Sequence, residues 1–528
     1  MIETALGLTG GFTAPHRIAT KIGADVLETG GSAIEAMVAA AAAIAVVYPH
    51  MNGIGGDGFW LIHRKGQAPM AISACGQAAR LATPAWYAKH GHIDAMPTRG
   101  AAAALTVPGT VGGWQAALDL VDEARRIPLI DLLAPSIALA KQGVAVTRNQ
   151  AITTEDKIDG LRNIPGFAEN YLFNGKVPSP GDRLTQAALG ATLSAIAENG
   201  TNSYYRGDIA STHAHFLKAQ GSPLRLADFQ KYNAELQIPL TVTTSLGTLY
   251  NTGPPTQGMS SLAILALFDR LNVTEGEGFA HLHGLIEATK QAFLVRNSEL
   301  GDPTTMRMPA QDFLTDKILD QAAAAIDPNN ALSWPQEAKR GDTIWMGAAD
   351  RDGTVVSFIQ SVFWEFGSGL TCPETGVVFQ NRGGGFSLSD GPNQLAPSKR
   401  PFHTLNPALA ILNDGRVMSY GTMGGEGQPQ TQAAVFSRYA QFGIPLQEAI
   451  TRPRWLLGKT WGDDTTSLKI EENFDPNILA RLTAAGHDVE TLPTFSSLMG
   501  HAGAIVRHPS GRIEAANDPR SDGLAYAV

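Results

Sequence analysis

One helix constrains the fold of this chain more than any other stretch. The run AIEAMVAAAAAIAVV is apolar almost all the way round, and a helix without a polar face has to be buried. Ser32 and Glu35 form the S-x-x-E pattern of a capping box at its start, and Pro49 stops it. The sequence therefore predicts a buried helix from about Ala33 to Val47.

The order of the remaining elements indicates a layered fold. The middle of the chain carries helical spacing in ARRIPLIDLLAPSIALAKQG, LTQAALGATLSAIAENG and FAHLHGLIEATKQAFLVRNSELGDP. From Asp342 onward short β runs dominate, among them TVVSFIQSVF, PALAILN and RVMSYGTM. Helices covering packed antiparallel sheets satisfy the rule that each element buries its apolar face. We expect the α/β (α+β) class, as a four-layer αββα sandwich.

Composition excludes several classes of protein. The 528 residues are 44% hydrophobic and 17% charged, which describes a globular protein with a sizeable core. A net charge of −9 without a basic run argues against nucleic acid or an anionic membrane as the main partner. Cys75 and Cys372 fit neither a disulfide framework nor a metal spacing. The start, MIETALGLTGGFTAPH, lacks the basic and apolar regions of a secretory signal, so we expect a cytoplasmic protein without a membrane span.

Two patterns resemble ligand sites but do not fit them. The loop HMNGIGGDGFWLIH contains G-x-G-x-x-G, yet it follows a helix and opens a strand, the reverse of a dinucleotide-binding loop. We interpret it as a tight turn with close backbone packing. The pairs His213/His215 and His281/His283 lie on helices, where positions i and i+2 point to different faces. The sequence predicts neither a metal nor an organic cofactor.

A predicted hairpin begins with a candidate catalytic residue. The segment RGDTIWMGAADRDGTVVSF predicts two strands joined by a turn at Asp350–Gly353. The polar connection SWPQEAKRGD leads into Thr343, the first residue of the strand. Thr343 is either a simple β-former or a nucleophile. If the Asp342–Thr343 bond is cut, the new α-amine, with a pKa of about 7.7–8.0, could accept the hydroxyl proton.

A glycine pair supplies a second candidate feature. Gly424 and Gly425 directly follow a predicted strand in SYGTMGGEGQPQT. Consecutive glycines either form a plain flexible turn or let two backbone N–H groups converge as an oxyanion hole. The sequence alone leaves both interpretations open.

These features and their surroundings resemble the γ-glutamyltranspeptidases, a family of N-terminal nucleophile hydrolases. The resemblance spans nearly the whole chain and includes FGSGLTCPETGVVFQN, KRPFHTLNPALAILNDG, GTMGGEGQPQT and NDPRSDG. It implies that Thr343 is both the self-processing residue and the nucleophile, so that chains 1–342 and 343–528 remain intertwined as partners in one domain. It also implies that Ser361 lies beside the nucleophile and that Gly424 and Gly425 form the oxyanion hole.

The chain departs from the family's pattern where the substrate's charged head is held. The family's arginine for the α-carboxylate falls at about Cys75, and Arg80 is displaced by several residues. The family's asparagine near the conserved hydroxyl falls on Phe363, which should shrink the pocket. Both positions lose a polar group that a γ-glutamyl substrate needs.

At other positions the family's substrate-binding residues are replaced by different residues. The family's glutamine and aspartate, which help hold the α-amino group, fall on Arg382 and Gly385. Its paired serines fall on His403 and Thr404, which we expect to line the pocket. Arg382 offers a planar fork suited to a bare carboxylate, although it could also be a surface residue in a glycine-rich loop.

Together these residues predict a hydrolase for a small carboxylate-bearing amide without an amino group. Two other enzymes remain alternatives: a glutathione hydrolase or γ-glutamyltransferase, and a glutaryl-type β-lactam acylase, whose larger substrate Phe363 disfavours. A binding protein without catalysis is disfavoured because Thr343, Ser361 and the glycine pair are all retained. Subunit number is left open, and a homo-oligomer is possible.

Overall fold

The computed structural model describes residues 2–334, 342–458 and 465–528. The strands are β1 Ala5–Gly7, β2 Gly10–Ala14, β3 Asp57–His63, β4 Met70–Ala74, β5 Val144–Ala145, β6 Arg183–Leu184, β7 Glu235–Gln237, β8 Leu240–Thr244, β9 Gly247–Asn251, β10 Asp342–Asp350, β11 Val355–Phe363, β12 Ala408–Leu412, β13 Val417–Thr422, β14 Trp455–Leu457, β15 Leu468–Glu471, β16 Val489–Leu492, β17 Ala502–Arg507, β18 Ile513–Asn517 and β19 Leu524–Ala527.

The helices fall mainly in the first two thirds of the chain. They are α1 Arg17–Glu28, α2 Ala33–Val47, α3 Pro84–Lys89, α4 Thr110–Leu118, α5 Leu129–Gln142, α6 Arg148–Lys157, α7 Phe167–Tyr171, α8 Ala187–Asn199, α9 Ser203–Arg206, α10 Asp208–Gln220, α11 Leu226–Lys231, α12 Gly258–Arg270, α13 Phe279–Glu299, α14 Asp316–Ala324, α15 Gly427–Phe436, α16 Leu446–Thr451 and α17 Pro476–Ala484. Within these ranges, no helix has both the length and the apolar character needed to cross a membrane.

Two seven-stranded antiparallel sheets form the centre of the molecule. Sheet I has the order β19-β2-β10-β11-β3-β4-β7, and sheet II has the order β1-β18-β17-β13-β12-β9-β8. In sheet I, β10 and β11 lie between β2 and β3, and in sheet II, β12 pairs with β9. Each sheet therefore combines strands from before and after Thr343.

The layers are helix, sheet, sheet, helix. Helix α2 packs against β10 and β11 on the outer face of sheet I, with α1 and α5 beside it. Helix α12 packs on β8 and β9 of sheet II, and α15 packs on β13. Buried apolar side chains from both sheets meet between them, including Leu61, Val355, Leu409 and Ile505. The predicted αββα sandwich is confirmed.

Trp345 fills the space between the two sheets. It extends from β10 of sheet I towards sheet II, where a Cβ on Gly421 would lie 2.3 Å from its ring and one on Gly503 would lie 2.6 Å away. Its indole N–H donates to the Ser357 hydroxyl at 2.9 Å. The absence of side chains on these two glycines leaves room for the Trp345 ring, so β10 can lie close to sheet II.

The predicted buried helix and the predicted hairpin are both confirmed, and one side chain joins them. Every residue of α2 is buried, and both hydrogen bonds of the Ser32–Glu35 capping box are present. The turn between β10 and β11 places Gly353 at a φ of +98°. Asp350 in that turn accepts from Thr354 N at 2.8 Å and from Ala33 N at 3.0 Å, which ties the hairpin to the start of α2.

The other local predictions are confirmed as well. The three helical patterns form α5, α8 and α13, and the glycine loop before β3 is a turn. Close packing explains its glycines, because a Cβ on Gly55 would lie 1.9 Å from the Val378 carbonyl oxygen.

Candidate active site

Three neighbouring strands of sheet I bring Thr343, Ser361 and Asp57 to one end of the sheet. Ser361 in β11 pairs directly with Asp57 in β3, so their side chains lie on the same face. The register of β10 and β11 is irregular between Asp342 and Ile344, which is where Thr343 lies. Thr343 is fully buried, and the Gln428 amide lies 3.5 Å from its hydroxyl.

Part of the predicted cleavage region cannot be compared with the structure. Residues 335–341 of the polar connection and the side chain of Asp342 lie outside the described residues. The backbone of Asp342 is described and pairs with Phe363 at the start of β10. Cleavage between Asp342 and Thr343 therefore stays a prediction.

The end of β11 is shaped by a hydrogen bond from the backbone to Ser361. The Ser361 hydroxyl accepts from the Phe363 N–H at 2.7 Å, and Phe363 has a φ of +84°. Positive φ is rare for a bulky residue and occurs where surrounding contacts hold the backbone, often at functional sites. This turn directs the buried Phe363 ring over Arg382.

Gly424 and Gly425 form a braced turn between β13 and α15. Their φ angles of +113° and +55° lie in the region that favours glycine. Within the described residues, neither N–H donates to a protein acceptor, as an oxyanion hole requires. Behind the turn, Gln257 donates to the Gly425 carbonyl at 2.8 Å, and Arg296 forms an ion pair with Glu426 at 3.1 Å.

Arg382 is a buried cation with no polar partner among the described residues. Its side chain is fully buried, and all three guanidinium nitrogens lack a hydrogen-bond acceptor. The guanidinium carbon lies 4.0 Å from the centre of the Phe363 ring. Burial lowers the pKa of Arg382 to about 9, against the opposing attraction of Asp57 and Cys75. Arg382 is therefore not the surface residue that the sequence also allowed.

Asp57 and His403 form a buried pair close to Arg382. The Nε2 atom of His403 lies 2.9 Å from Asp57 Oδ2, and its Nδ1 atom lies 2.8 Å from the Pro401 carbonyl. Both ring nitrogens thus face oxygen acceptors. Burial lowers the pKa of His403, Arg382 lowers it further, and Asp57 opposes the shift. The hydroxyl of Thr404 is buried and has no partner among the described residues.

Asp57 belongs to the candidate active site, although it lies outside the motifs that predict the site from the sequence. It immediately follows the glycine loop, where a Cβ on Gly56 would lie 2.1 Å from the Ser361 carbonyl oxygen. The loop glycines thus let the backbone approach β11 closely and place Asp57 beside Ser361. The sequence signal for Asp57 is that an acidic residue directly follows a tight glycine turn.

Arg80 does not take the place of the arginine that the family has near Cys75. Cys75 is buried just after β4, and burial raises the pKa of its thiol to about 12. Arg80 is half-exposed and lies 3.7 Å from Asp228, so it serves a different pair. Arg400 and Arg382 both lie close enough to Cys75 for their charges to interact with its thiol.

One histidine cluster lies elsewhere in the molecule. His213 is buried and His215 is exposed, whereas His283 approaches Glu287 and His487 closely enough for the three to hold a metal ion. Protein contacts already occupy these groups: His283 bonds to His487 at 2.9 Å, and the Lys290 ammonium lies 2.7 Å from Glu287. These protein contacts explain the cluster as a structural network.

Comparison with known proteins identifies the family. The gamma-glutamyltranspeptidase family profile matches residues 19–528. The chain belongs to the γ-glutamyltranspeptidase family. Family membership makes it a hydrolase of amide bonds in the N-terminal nucleophile class.

Relatives within the family differ in their substrates. The chain is 52% identical to the oxamate amidohydrolase proenzyme of Klebsiella pneumoniae, over 98% of each chain. It is 37% identical to the glutathione hydrolase-like YwrD proenzyme of Bacillus subtilis, over the full length of both. Its fold matches the crystal structure of cephalosporin acylase from Bacillus halodurans with a TM-score of 0.92, at 28% identity over 100% of this chain and 97% of that one.

Proposed function

We propose that this protein is a self-processing amidohydrolase that cleaves a small carboxylate-bearing amide, with oxamate as its substrate. Oxamate hydrolysis yields oxalate and ammonia. The observation that carries the proposal is the buried guanidinium of Arg382, which has no hydrogen-bond acceptor among the described residues. A buried charge without a partner costs several kcal/mol, so its retention is explained if a ligand supplies the missing acceptor.

The surroundings of Arg382 favour a carboxylate without an adjacent amino group. A guanidinium binds a carboxylate through two parallel hydrogen bonds. The carboxylate of Asp57, whose charge interacts with Arg382, is already engaged by His403, so it is not free to bind a substrate ammonium. The Phe363 ring lies over the guanidinium and limits the length of the acyl group.

The proposed mechanism uses only groups of the chain and water. Cleavage before Thr343 frees its α-amine, which takes the hydroxyl proton as Oγ1 attacks the amide carbon. The N–H groups of Gly424 and Gly425 hold the resulting oxyanion. The protonated amine gives its proton to the departing ammonia, leaving an acyl ester on Thr343. Water, deprotonated by the same amine, opens the ester and releases the diacid.

Other parts of the proposal rest on the relatives and on contacts at the site. Self-cleavage into chains 1–342 and 343–528 is supported by the relatives, which are proenzymes. The choice of oxamate is supported by the 52% identity to the Klebsiella enzyme. Ser361 is proposed to orient the Thr343 hydroxyl. We further propose that the protein works in the cytoplasm, in the breakdown of purine rings through uric acid and allantoin.

The decisive experiment measures ammonia release from oxamate by the purified protein beside Thr343→Ala. Release by the wild type alone, with two chains found by intact mass, supports both nucleophile and substrate. Failure of a cleaved wild type to release ammonia removes oxamate as the substrate. A single full-length chain with full activity contradicts self-processing.

Two groups of relatives suggest alternative substrates that should be tested. The family includes glutathione hydrolases and acylases, so a γ-glutamyl anilide and a glutaryl β-lactam serve as competing substrates. We expect turnover of both to be poor, because Arg382 and Gly385 stand where the family holds the γ-glutamyl amino group and because the β-lactam is bulky. Faster turnover of either one than of oxamate would replace the proposed substrate.

A further inference from the structure

Asp57 makes an unusually complete set of hydrogen bonds for a carboxylate next to an unpaired arginine. Its Oδ1 atom accepts from Gly109 N at 3.0 Å, from Gly76 N at 3.2 Å and from the Gln380 amide at 3.0 Å. Its Oδ2 atom is engaged by His403. Asp57 and His403 are both fully buried, so no water competes for these bonds.

The two opposite charges lie close together without pairing. The charge of Asp57 opposes the lowering of the Arg382 pKa by burial, yet no carboxylate in the described part of the chain lies within 4.0 Å of the guanidinium. A buried bidentate pair of aspartate and arginine would be much more favourable than an arginine with no acceptor. Some contact must therefore hold the carboxylate in its present orientation.

His403 is the side chain that engages Oδ2 of Asp57, and its removal would free that oxygen without moving the backbone. The partners of Oδ1 include two main-chain N–H groups, that of Gly76 after β4 and that of Gly109 before α4, whereas in the described part of the chain only the imidazole bonds to Oδ2. The imidazole packs edge-on against the Phe59 ring, with the ring centres 5.2 Å apart, and its Nδ1 atom lies 2.8 Å from the Pro401 carbonyl oxygen.

We propose that His403 is a positioning residue that holds Asp57 away from Arg382 and so keeps the guanidinium free for the substrate carboxylate. This inference rests on the proposed function, in which Arg382 anchors that carboxylate. It also gives His403 a role different from direct substrate contact, because its Nε2 atom is engaged by Asp57 and its Nδ1 atom faces the Pro401 carbonyl. The specificity for a carboxylate then depends on a pair of residues that do not touch the substrate.

The test measures binding of oxalate, a carboxylate probe that needs no turnover, by calorimetry on the processed protein. His403→Ala frees Oδ2 to pair with Arg382, so we expect oxalate to bind at least tenfold more weakly. His403→Gln places an amide donor near the Nε2 position and should bind within about threefold of the wild type. Asp57→Asn in the His403→Ala background removes the competing charge and should recover most of the lost affinity.

The outcomes separate this inference from the proposed function. Arg382→Met must lose oxalate binding, and retained binding would overturn the role of Arg382 itself. If Arg382→Met loses binding but His403→Ala keeps it, only the positioning role is overturned. The positioning role is also overturned if the Asp57→Asn/His403→Ala double variant, or His403→Gln, binds oxalate as weakly as His403→Ala does. Intact mass showing cleavage before Thr343 verifies that each variant has folded, and oxalate that fails to bind the wild type overturns both proposals.

Discussion

Replacing Arg382 by methionine should make the protein more stable and inactive. Methionine has a similar length and no charge, so it fills the same buried space beside Phe363 without needing an acceptor. We expect a gain in stability together with a loss of activity, a combination that few substitutions in a protein core produce, since most of them destabilise.

The magnitude follows from the pKa of Arg382. Burial lowers that pKa from 12.5 to about 9, and at ~1.36 kcal/mol per unit the buried charge costs about 5 kcal/mol. Stacking on Phe363 returns about 2 kcal/mol, which methionine loses. The net gain in the free energy of unfolding is about 3 kcal/mol. At ~2.1 cal/mol/K per residue, the unfolding entropy of a 528-residue chain makes this a rise in Tm of about 3 °C.

Stability is best compared in the Thr343→Ala background, where the chain should stay in one piece. The assay is thermal unfolding followed by circular dichroism, with Arg438→Met as the matched control. Arg438 is equally buried but is paired with Glu277 at 2.7 Å, so its loss should destabilise by ~3–5 kcal/mol. In the cleavable background, Arg382→Met should lose at least 100-fold in kcat/KM for oxamate. A lower Tm for Arg382→Met, or retained hydrolysis, would refute the reasoning.

Three further predictions concern the nucleophile, the oxyanion turn and pH. Thr343→Ala should remain a single 55.9 kDa species by intact mass and release no ammonia, and a cleaved variant would contradict its role. Gly424→Ala, measured after cleavage, should lower kcat about 100-fold with little change in KM, because alanine strains a φ of +113° and turns the N–H away. Since Arg382 is cationic below its pKa of about 9, KM for a carboxylated substrate should rise as pH increases through 9, and a KM that stays flat to pH 10 would exclude it as the anchor.

Much of the fold could be predicted because its signals are local. The capping box at Ser32 and the turn at Gly353 depend on residues a few positions apart, and both are confirmed. The strand order could not be predicted, because the placement of β10 and β11 between β2 and β3 depends on contacts across hundreds of residues. The slot for Trp345 depends in the same way on two glycines of a different sheet.

The site residues that lie in local sequence motifs could be predicted, whereas the contacts that only the folded chain creates could not. Thr343 and the glycine pair are found from the resemblance, and the position of Arg382 follows from the same comparison of motifs. That Arg382 lacks an acceptor is a property of the folded surroundings and has no local signal. The bond between Asp57 and His403 joins residues 346 positions apart, and the first of them was interpreted only as part of a turn.

The interleaving of strands in both sheets has a consequence for the lifetime of the enzyme. Cleavage before Thr343 would convert a single chain into two that are held together only by hydrogen bonds and packing, with β10 and β11 enclosed by strands of the other chain. The precursor can refold after a local or global opening, whereas the cut pair would have to find its partner again at cellular dilution. Processing would thus make folding a one-way event, after which persistence depends on the height of the unfolding barrier rather than on the equilibrium free energy.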